Sequence, residues 1–163
     1  MPHKAKANLS ALIESTEDLI WSVDLDYQLI TFNQALHRDI ELNYGLHAAV
    51  GMRMEDLLPP AQAELWPRFY QQALTEGPFR VEYSLHDGRT LELAFNPIAV
   101  NGQATGVSVF GKNITERKTL ENALLAAESR YRALFDGARE GMFQTSMDAR
   151  IVSANRALSQ MLG

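Results

Sequence analysis

Two hydrophobic rhythms run along this chain, and their order predicts its architecture. Over residues 7–16, Leu9, Leu12 and Ile13 fall at helical spacing and predict a short amphipathic helix. Residues 19–24 and 28–32 are rich in β-branched and aromatic side chains. They flank Asp24-Leu25-Asp26-Tyr27, so a hairpin is expected. Asn33 follows where an N-cap belongs, its amide oxygen placed to accept from an exposed N–H of a first helical turn. Residues 43–60 read as irregular, with Gly45, Gly51 and Pro59-Pro60. A helix is expected over 61–76, with Leu65, Phe69 and Ala73 as one stripe and Trp66, Tyr70 and Leu74 beside it. Pro67 has no N–H to offer the carbonyl of Ala63, so this helix should kink or restart near Trp66.

A period of two then takes over. Phe79, Val81, Tyr83 and Leu85 alternate with Arg80, Glu82, Ser84 and His86, as in a half-buried strand. Asp87-Gly88 marks a turn, and Leu91, Leu93 and Phe95 resume the alternation. Asn101-Gly102 marks the next turn, and 105–112 form the last strand. Both dipeptides predict tight hairpin loops whose two central residues take φ > 0. The fold class is therefore α+β with an antiparallel sheet. Asn113-Ile114-Thr115-Glu116 has capping-box spacing and opens a further helix. Along it Leu120, Leu124, Ala127, Tyr131 and Leu134 recur at the a/d spacing of a coiled coil, over only about two heptads. A dimer seam and an amphipathic helix lying on its own domain both fit that pattern.

The opening pattern occurs twice. Residues 12–36 and 134–158 align without a gap, with Leu12/Leu134, Asp26/Asp148, Asn33/Asn155, Ala35/Ala157 and Leu36/Leu158 identical. Trp21/Phe143 and Ile30/Val152 keep their character. A unit this long is a domain and not a solenoid repeat. The expected organisation is a flanking helix (1–16), one whole domain (17–115), an amphipathic linker helix (116–130) and the truncated start of a second domain (131–163). An isolated hairpin is marginal in water, so the tail should be mobile, or docked against the first domain or a neighbouring chain.

With 46% apolar residues the chain can bury a core. Its net charge of −5, with both signs interspersed, argues against nucleic acid as a partner. No apolar run is long enough to span a bilayer, and no secretory h-region follows the first residues. This segment is therefore expected to make no membrane contact and to be cytoplasmic, with a membrane-anchored parent compatible. The absence of cysteine excludes disulfides, thiol nucleophiles and thiolate-bound metal. There is no Gly-rich phosphate loop, HExxH, nucleophile elbow or paired His/Glu metal spacing. Neither a catalytic residue nor a metal site is expected, and any kinase or cyclase activity of a parent protein belongs to other domains. Asp24 and Asp26 read as turn residues.

The motifs in order resemble the PAS sensory family. Phe95-Asn96-Pro97-Ile98, Gly106-Val107-Ser108-Val109-Phe110 and Asn113-Ile114-Thr115-Glu116-Arg117-Lys118 are similar to that family's last two strands and its exit motif. Tyr131-Arg132-Ala133-Leu134-Phe135 resembles the entry helix by which one such domain follows another in bacterial sensors. The hairpin-plus-Asn opening, at Asp26/Asn33 and Asp148/Asn155, matches too. The resemblance implies a five-stranded antiparallel sheet in the order 2-1-5-4-3, with helices over one face and often a pocket between. It implies sensing or relay within a multidomain protein, expected here to be a histidine kinase of a two-component phosphorelay. The alternative is a ligand-free dimerisation or spacer module in a cyclic-di-GMP signalling protein. Asn113 stands where the family usually has Asp, which removes a carboxylate from the exit motif.

The resemblance also frames the ligand question. Cysteine-linked flavin and coumaroyl chromophores are excluded. Haem is disfavoured, because none of the histidines (His3, His37, His47, His86) lies in 61–76. Noncovalent flavin, a small organic ligand or no ligand remain open. Candidate pocket residues are Trp21, Phe32, Leu36, Trp66, Phe69, Tyr83 and Phe95, and simple core filling explains the same aromatics. The signal exit is expected at Asn113, Thr115, Glu116, Leu120, Leu124 and Tyr131, with homodimerisation through the flanking helices.

Overall fold

The alternating strands sort their side chains onto two faces of one sheet. The computed structural model describes residues 2–163, with side chains from residue 3 onward. It divides into two compact units, the first ending at Thr115 and the second spanning Glu116–Gly163. In the first, α1 (Pro2–Glu14) leads into β1 (Leu19–Asp24) and β2 (Leu29–Phe32). Next come α2 (Gln34–Tyr44), α3 (Met54–Leu57), α4 (Pro60–Ala63) and α5 (Leu65–Glu76), then β3 (Phe79–Ser84), β4 (Thr90–Val100) and β5 (Gln103–Asn113). The sheet has five strands in the order β2-β1-β5-β4-β3, every neighbouring pair antiparallel.

Leu19, Trp21 and Val23 of β1 alternate with less buried neighbours, as do Leu91, Leu93 and Phe95 of β4. These side chains, with Leu29, Tyr83, Val107 and Val109, meet Leu36 and Ile40 of α2, Met54 and Leu57 of α3, and Trp66, Tyr70 and Ala73 of α5. The helix layer thus covers one face and forms a single core. At roughly 25 cal/mol per Å² of apolar surface, burial of these large side chains is the main stabilising term.

Some local expectations hold and others change in detail. The helix predicted over 61–76, with its restart near Trp66, breaks at Glu64 and resumes at Leu65. Pro67 therefore sits in the first turn of α5, where N–H groups have no intrahelical partner and its missing donor costs nothing. The restart fixes the core face as Trp66, Tyr70 and Ala73, while Leu65 is exposed. Residues 43–60, read as irregular, contain the single turn α3. There the Arg53 N–H donates to Asp56 Oδ2 (3.0 Å), and Met54 and Leu57 enter the core. Asn101 and Gly102 both take φ > 0 (51° and 79°), as a two-residue hairpin loop requires. Asp87 does not: only Gly88 is left-handed (φ 89°), and the loop closes by Leu85 N–H to Arg89 O and Gly88 N–H to Leu85 O. Asp87 instead accepts from the Arg89 N–H (3.0 Å) and Nε (2.6 Å), which holds the wider loop.

The second unit contains α6 (Thr115–Gly137, mostly within it), β6 (Phe143–Thr145), β7 (Ile151–Ala154) and α7 (Arg156–Leu162). Its hairpin repeats that of the first. Phe143 pairs with Ala154 as Trp21 pairs with Phe32, and the register slips after Gln144 as it does after Ser22. Tyr27 and its counterpart Ala149 both take positive φ (61° and 59°).

Candidate functional site

Trp66 is the hub of the core. It opens the buried face of α5 one residue after the helix restarts, and its ring meets five others: Trp21 (5.6 Å between centroids), Tyr83 (5.5 Å), Phe69 (6.0 Å), Tyr70 (6.2 Å) and Phe95 (6.3 Å). The Trp21 Nε1 donates to the Tyr70 hydroxyl (3.0 Å), satisfying one buried polar pair. Burial drives the Tyr70 hydroxyl far above its ordinary pKa, against the bond from Trp21, so it stays neutral.

Beside Trp66 lies a small apolar cavity of about 30 Å³ between α2, α3, α5 and the sheet. Of the predicted pocket residues, Trp21, Leu36, Trp66 and Tyr83 line it. Phe69 and Phe95 instead pack together (5.3 Å) behind Trp66, and Phe95 stacks on Phe79 (4.9 Å, 3°). Phe32 stacks on His37 (6.2 Å), away from the cavity. Trp66 Nε1 and Tyr83 Oη, both more than nine-tenths buried, have no hydrogen-bond partner among the described residues. Burial, with the nearby Tyr44, raises the Tyr83 pKa, so the cavity wall carries two neutral donors. Its volume suits one water-sized guest; drug-sized ligands need roughly 300 Å³ or more. Flavin and haem do not fit this core as packed.

Two further cavity residues, Asp39 and Leu91, were not singled out from the sequence. Asp39 receives Arg89 Nη2 at 2.7 Å, and Arg89 Nε also meets Asp87 (2.6 Å), tying α2 to the β3–β4 loop. Desolvation opposes ionisation of Asp87, but the hydrogen bonds and charge of Arg89 outweigh it and hold the carboxyl below its usual value. The next residue, Thr90, is clamped to the exit segment on both sides. Its carbonyl accepts from Ile114 N–H (2.9 Å), and its N–H donates to Thr115 Oγ1 (2.9 Å). The Thr115 hydroxyl donates to Asn113 Oδ1 (2.6 Å), which also accepts the Thr115 N–H (3.0 Å).

Asn113 thus forms an Asx turn, accepting from Thr115 two residues on, where the capping-box spacing predicts acceptance from the residue three on. Ile114, which is buried, lies between Asn113 and Thr115, the first residue of α6. Glu116 is exposed in the first turn of α6, where an acid suits the helix dipole. Leu120 and Leu124 present exposed apolar side chains (63% and 70%). Tyr131 differs from a pure seam residue: its hydroxyl accepts from Gln144 Nε2 (2.7 Å) and its ring stacks on Phe135 (5.6 Å), within the second unit.

One cluster was missed altogether. His37 and Glu41 lie on one face of α2 at i, i+4, and the loop after Gly45 brings His47 to them, with donor atoms within 4.8 Å of one another. The expectation of no paired His/Glu metal spacing does not hold: His37-x3-Glu41 on a helix is such a spacing, and only the third member is remote.

Residues 13–119, more than half of the chain, match the family model described as PAS fold, and residues 129–163 match one described as PAS domain. No curated protein matches. Among solved structures, the chain is similar to the PAS domain of BvgS from Bordetella pertussis, at 20% identity and TM-score 0.57 over 78% of this chain and 98% of that one. It is similar to a PAS domain from Colwellia psychrerythraea, at 22% identity and TM-score 0.52 over 69% and 98% of the two chains. A sensory box sensor histidine kinase from Vibrio cholerae matches at 18% identity and TM-score 0.51 over 69% of this chain and 94% of that one. At these identities the likeness is one of fold.

Proposed function

The chain belongs to the PAS family, and on that premise we propose that it is the sensory relay of a bacterial multidomain sensor. A change at the Trp66 cavity passes along Leu91 and Thr90 to Thr115 and so into α6. The observation that carries this reading is the double clamp on Thr90, which joins a cavity-lining strand to the first residue of the outgoing helix. A packed helix with two arrangements can carry a small local change onward. The parent is proposed to be a histidine kinase, on the strength of the tandem opening and the run Tyr131-Arg132-Ala133-Leu134-Phe135. Its proposed location is cytoplasmic; no helix among the described residues is long and apolar enough to cross a membrane. Two copies are proposed to associate along Leu120 and Leu124, which α6 leaves exposed.

The test is Thr115→Val, which keeps the shape and deletes the hydroxyl that Thr90 donates to. Hydrogen exchange over residues 116–124 should quicken relative to wild type while β1 and β5 keep their protection. Unchanged exchange would remove the clamp from the mechanism.

A second reading has its own support: the cavity of about 30 Å³ leaves no room for an organic ligand. On that reading the unit is a ligand-free dimerisation or spacer module in a cyclic-di-GMP signalling protein. Native mass spectrometry of protein purified from cells separates the two. Retained small-molecule mass favours sensing by ligand, and a bare polypeptide mass favours the spacer.

A further inference from the structure

The step that turns Leu36 and Ile40 of α2 into the core turns His37 and Glu41 to its rim, one above the other. At the end of α2, Gly45 takes a left-handed conformation (φ 68°) and its N–H returns to Glu41 O (2.9 Å). That reversal sends the chain back along the helix, so His47 lies over the same face. Its ring stacks on His37 (5.8 Å between centroids, 25°), and its Nδ1 stands 3.8 Å from Glu41 Oε1. On the other side of His37 lies Phe32 (6.2 Å, 19°), which fixes the orientation of that imidazole. His37 is half-buried, whereas Glu41 and His47 are exposed and open to an ion from solvent.

We infer that His37, Glu41 and His47 form a binding site for a borderline divalent transition metal of the Zn²⁺ class. Two imidazoles and one carboxylate are a donor set that such ions prefer over Mg²⁺ or Ca²⁺, which take oxygen ligands. Bonds of about 2.0–2.1 Å to a tetrahedral ion set neighbouring donor atoms roughly 3.3 Å apart. The observed spread, within 4.8 Å, closes to that by side-chain rotation of the two exposed residues. Three protein ligands leave the fourth position for water or a group from a partner.

None of the three residues lines the Trp66 cavity, so the site is independent of what that cavity holds. Its consequence is mechanical. The segment after His47 is tied to β2 by Gly51 N–H to Leu29 O (2.8 Å) and Leu29 N–H to Met52 O (2.7 Å). An ion joining His47 to α2 fastens the other end of the same segment, so residues 46–52 become a strap held at both ends.

The test uses the whole chain with Zn²⁺ and, as a spectroscopic stand-in, Co²⁺. Wild type should bind one Zn²⁺ by calorimetry, give the intense visible bands of four-coordinate Co²⁺, and gain hydrogen-exchange protection over residues 46–52. H47A, E41Q and H37Q should each weaken Zn²⁺ binding roughly tenfold or more, and H47A should lose the visible bands. H47A and E41Q alter exposed residues, so a lost signal there is not a folding failure; circular dichroism confirms this. Wild-type affinity retained in the H37Q/H47A double variant overturns the assignment. So does binding only at millimolar Zn²⁺, without visible Co²⁺ bands, in wild type.

Discussion

Asn33 and Asn155 make the same hydrogen bonds with the same relative partners, one in each copy of the repeat. Asn33 Oδ1 accepts from the N–H groups of Ile20 and Leu36, and its Nδ2 donates to the carbonyls of Ile13 and Asp18. Asn155 accepts from Met142 and Leu158 and donates to Phe135 and Glu140, the counterparts in every case. Among the described residues these are the two buried polar side chains. Each joins the end of an incoming helix, the first strand and the start of the following helix. The entry helix is therefore fastened by an amide, and no other side chain of that size supplies two acceptor and two donor sites in one plane.

Asn33→Ala leaves two N–H groups and two carbonyls of the first unit without this partner. It should lower the unfolding free energy by at least about 2 kcal/mol in urea denaturation. Asn33→Asp keeps the accepted bonds but turns a carboxylate toward two carbonyls, so a similar loss is expected. A stable Asn33→Asp protein would show that the donated bonds count for little.

Asp87 links acidity to stability. Its folded pKa lies below the ordinary 3.8, because hydrogen bonds and charge from Arg89 outweigh desolvation. A depressed carboxyl contributes stability that is fully present above its unfolded value and is lost as pH falls through the folded one. Asp87→Asn should therefore be less stable than wild type at neutral pH, and the difference should shrink as the pH drops below 3.8. Thermal melts of both proteins across that range check this; a gap that widens on acidification would refute it.

Gly106 pairs with Asp24 where β1 and β5 lie side by side. A Cβ at this position would overlap the carbonyl oxygen of Val23, a backbone atom that cannot swing aside. Gly106→Ala should cost about 1–3 kcal/mol as an overpacking change. Gly137→Ala, with open space around it, is the control and should unfold like wild type.

Leu124 is exposed on α6 together with Leu120. Sedimentation equilibrium of the chain should show a reversible dimer, and Leu124→Glu should raise its dissociation constant about tenfold or more, equivalent to roughly 1.4 kcal/mol. A wild-type monomer at every concentration would exclude the proposed seam.

The strands and the Asn33 cap were legible because each follows from local spacing: period two, turn dipeptides and a polar residue at a helix start; the pairing order came only from the family resemblance. What stayed hidden depends on contacts between distant segments. Asp39 and Arg89 meet across fifty residues of chain, and no periodicity marks that. Thr90 acts through backbone groups that its side chain does not advertise. The turn at Asp87 went astray because Arg89, just beyond it, captures the carboxylate. The candidate pocket was half legible. Large inward residues were identifiable, but whether they enclose a cavity or fill it depends on how five rings interlock around Trp66. His47 reached His37 only because Gly45 reverses the chain, which spacing along α2 cannot reveal.

The proposed relay couples the Trp66 core to α6 through Thr90 and Thr115. The most direct measurement is hydrogen exchange over residues 116–124 in a four-protein set: wild type, Trp66→Phe, Thr115→Val and the double variant. The relay predicts that Trp66→Phe changes exchange there in the wild-type background and has no further effect once Thr115 is Val. If Trp66→Phe leaves α6 untouched, or shifts it equally in both backgrounds, the core and the outgoing helix are not coupled by this route.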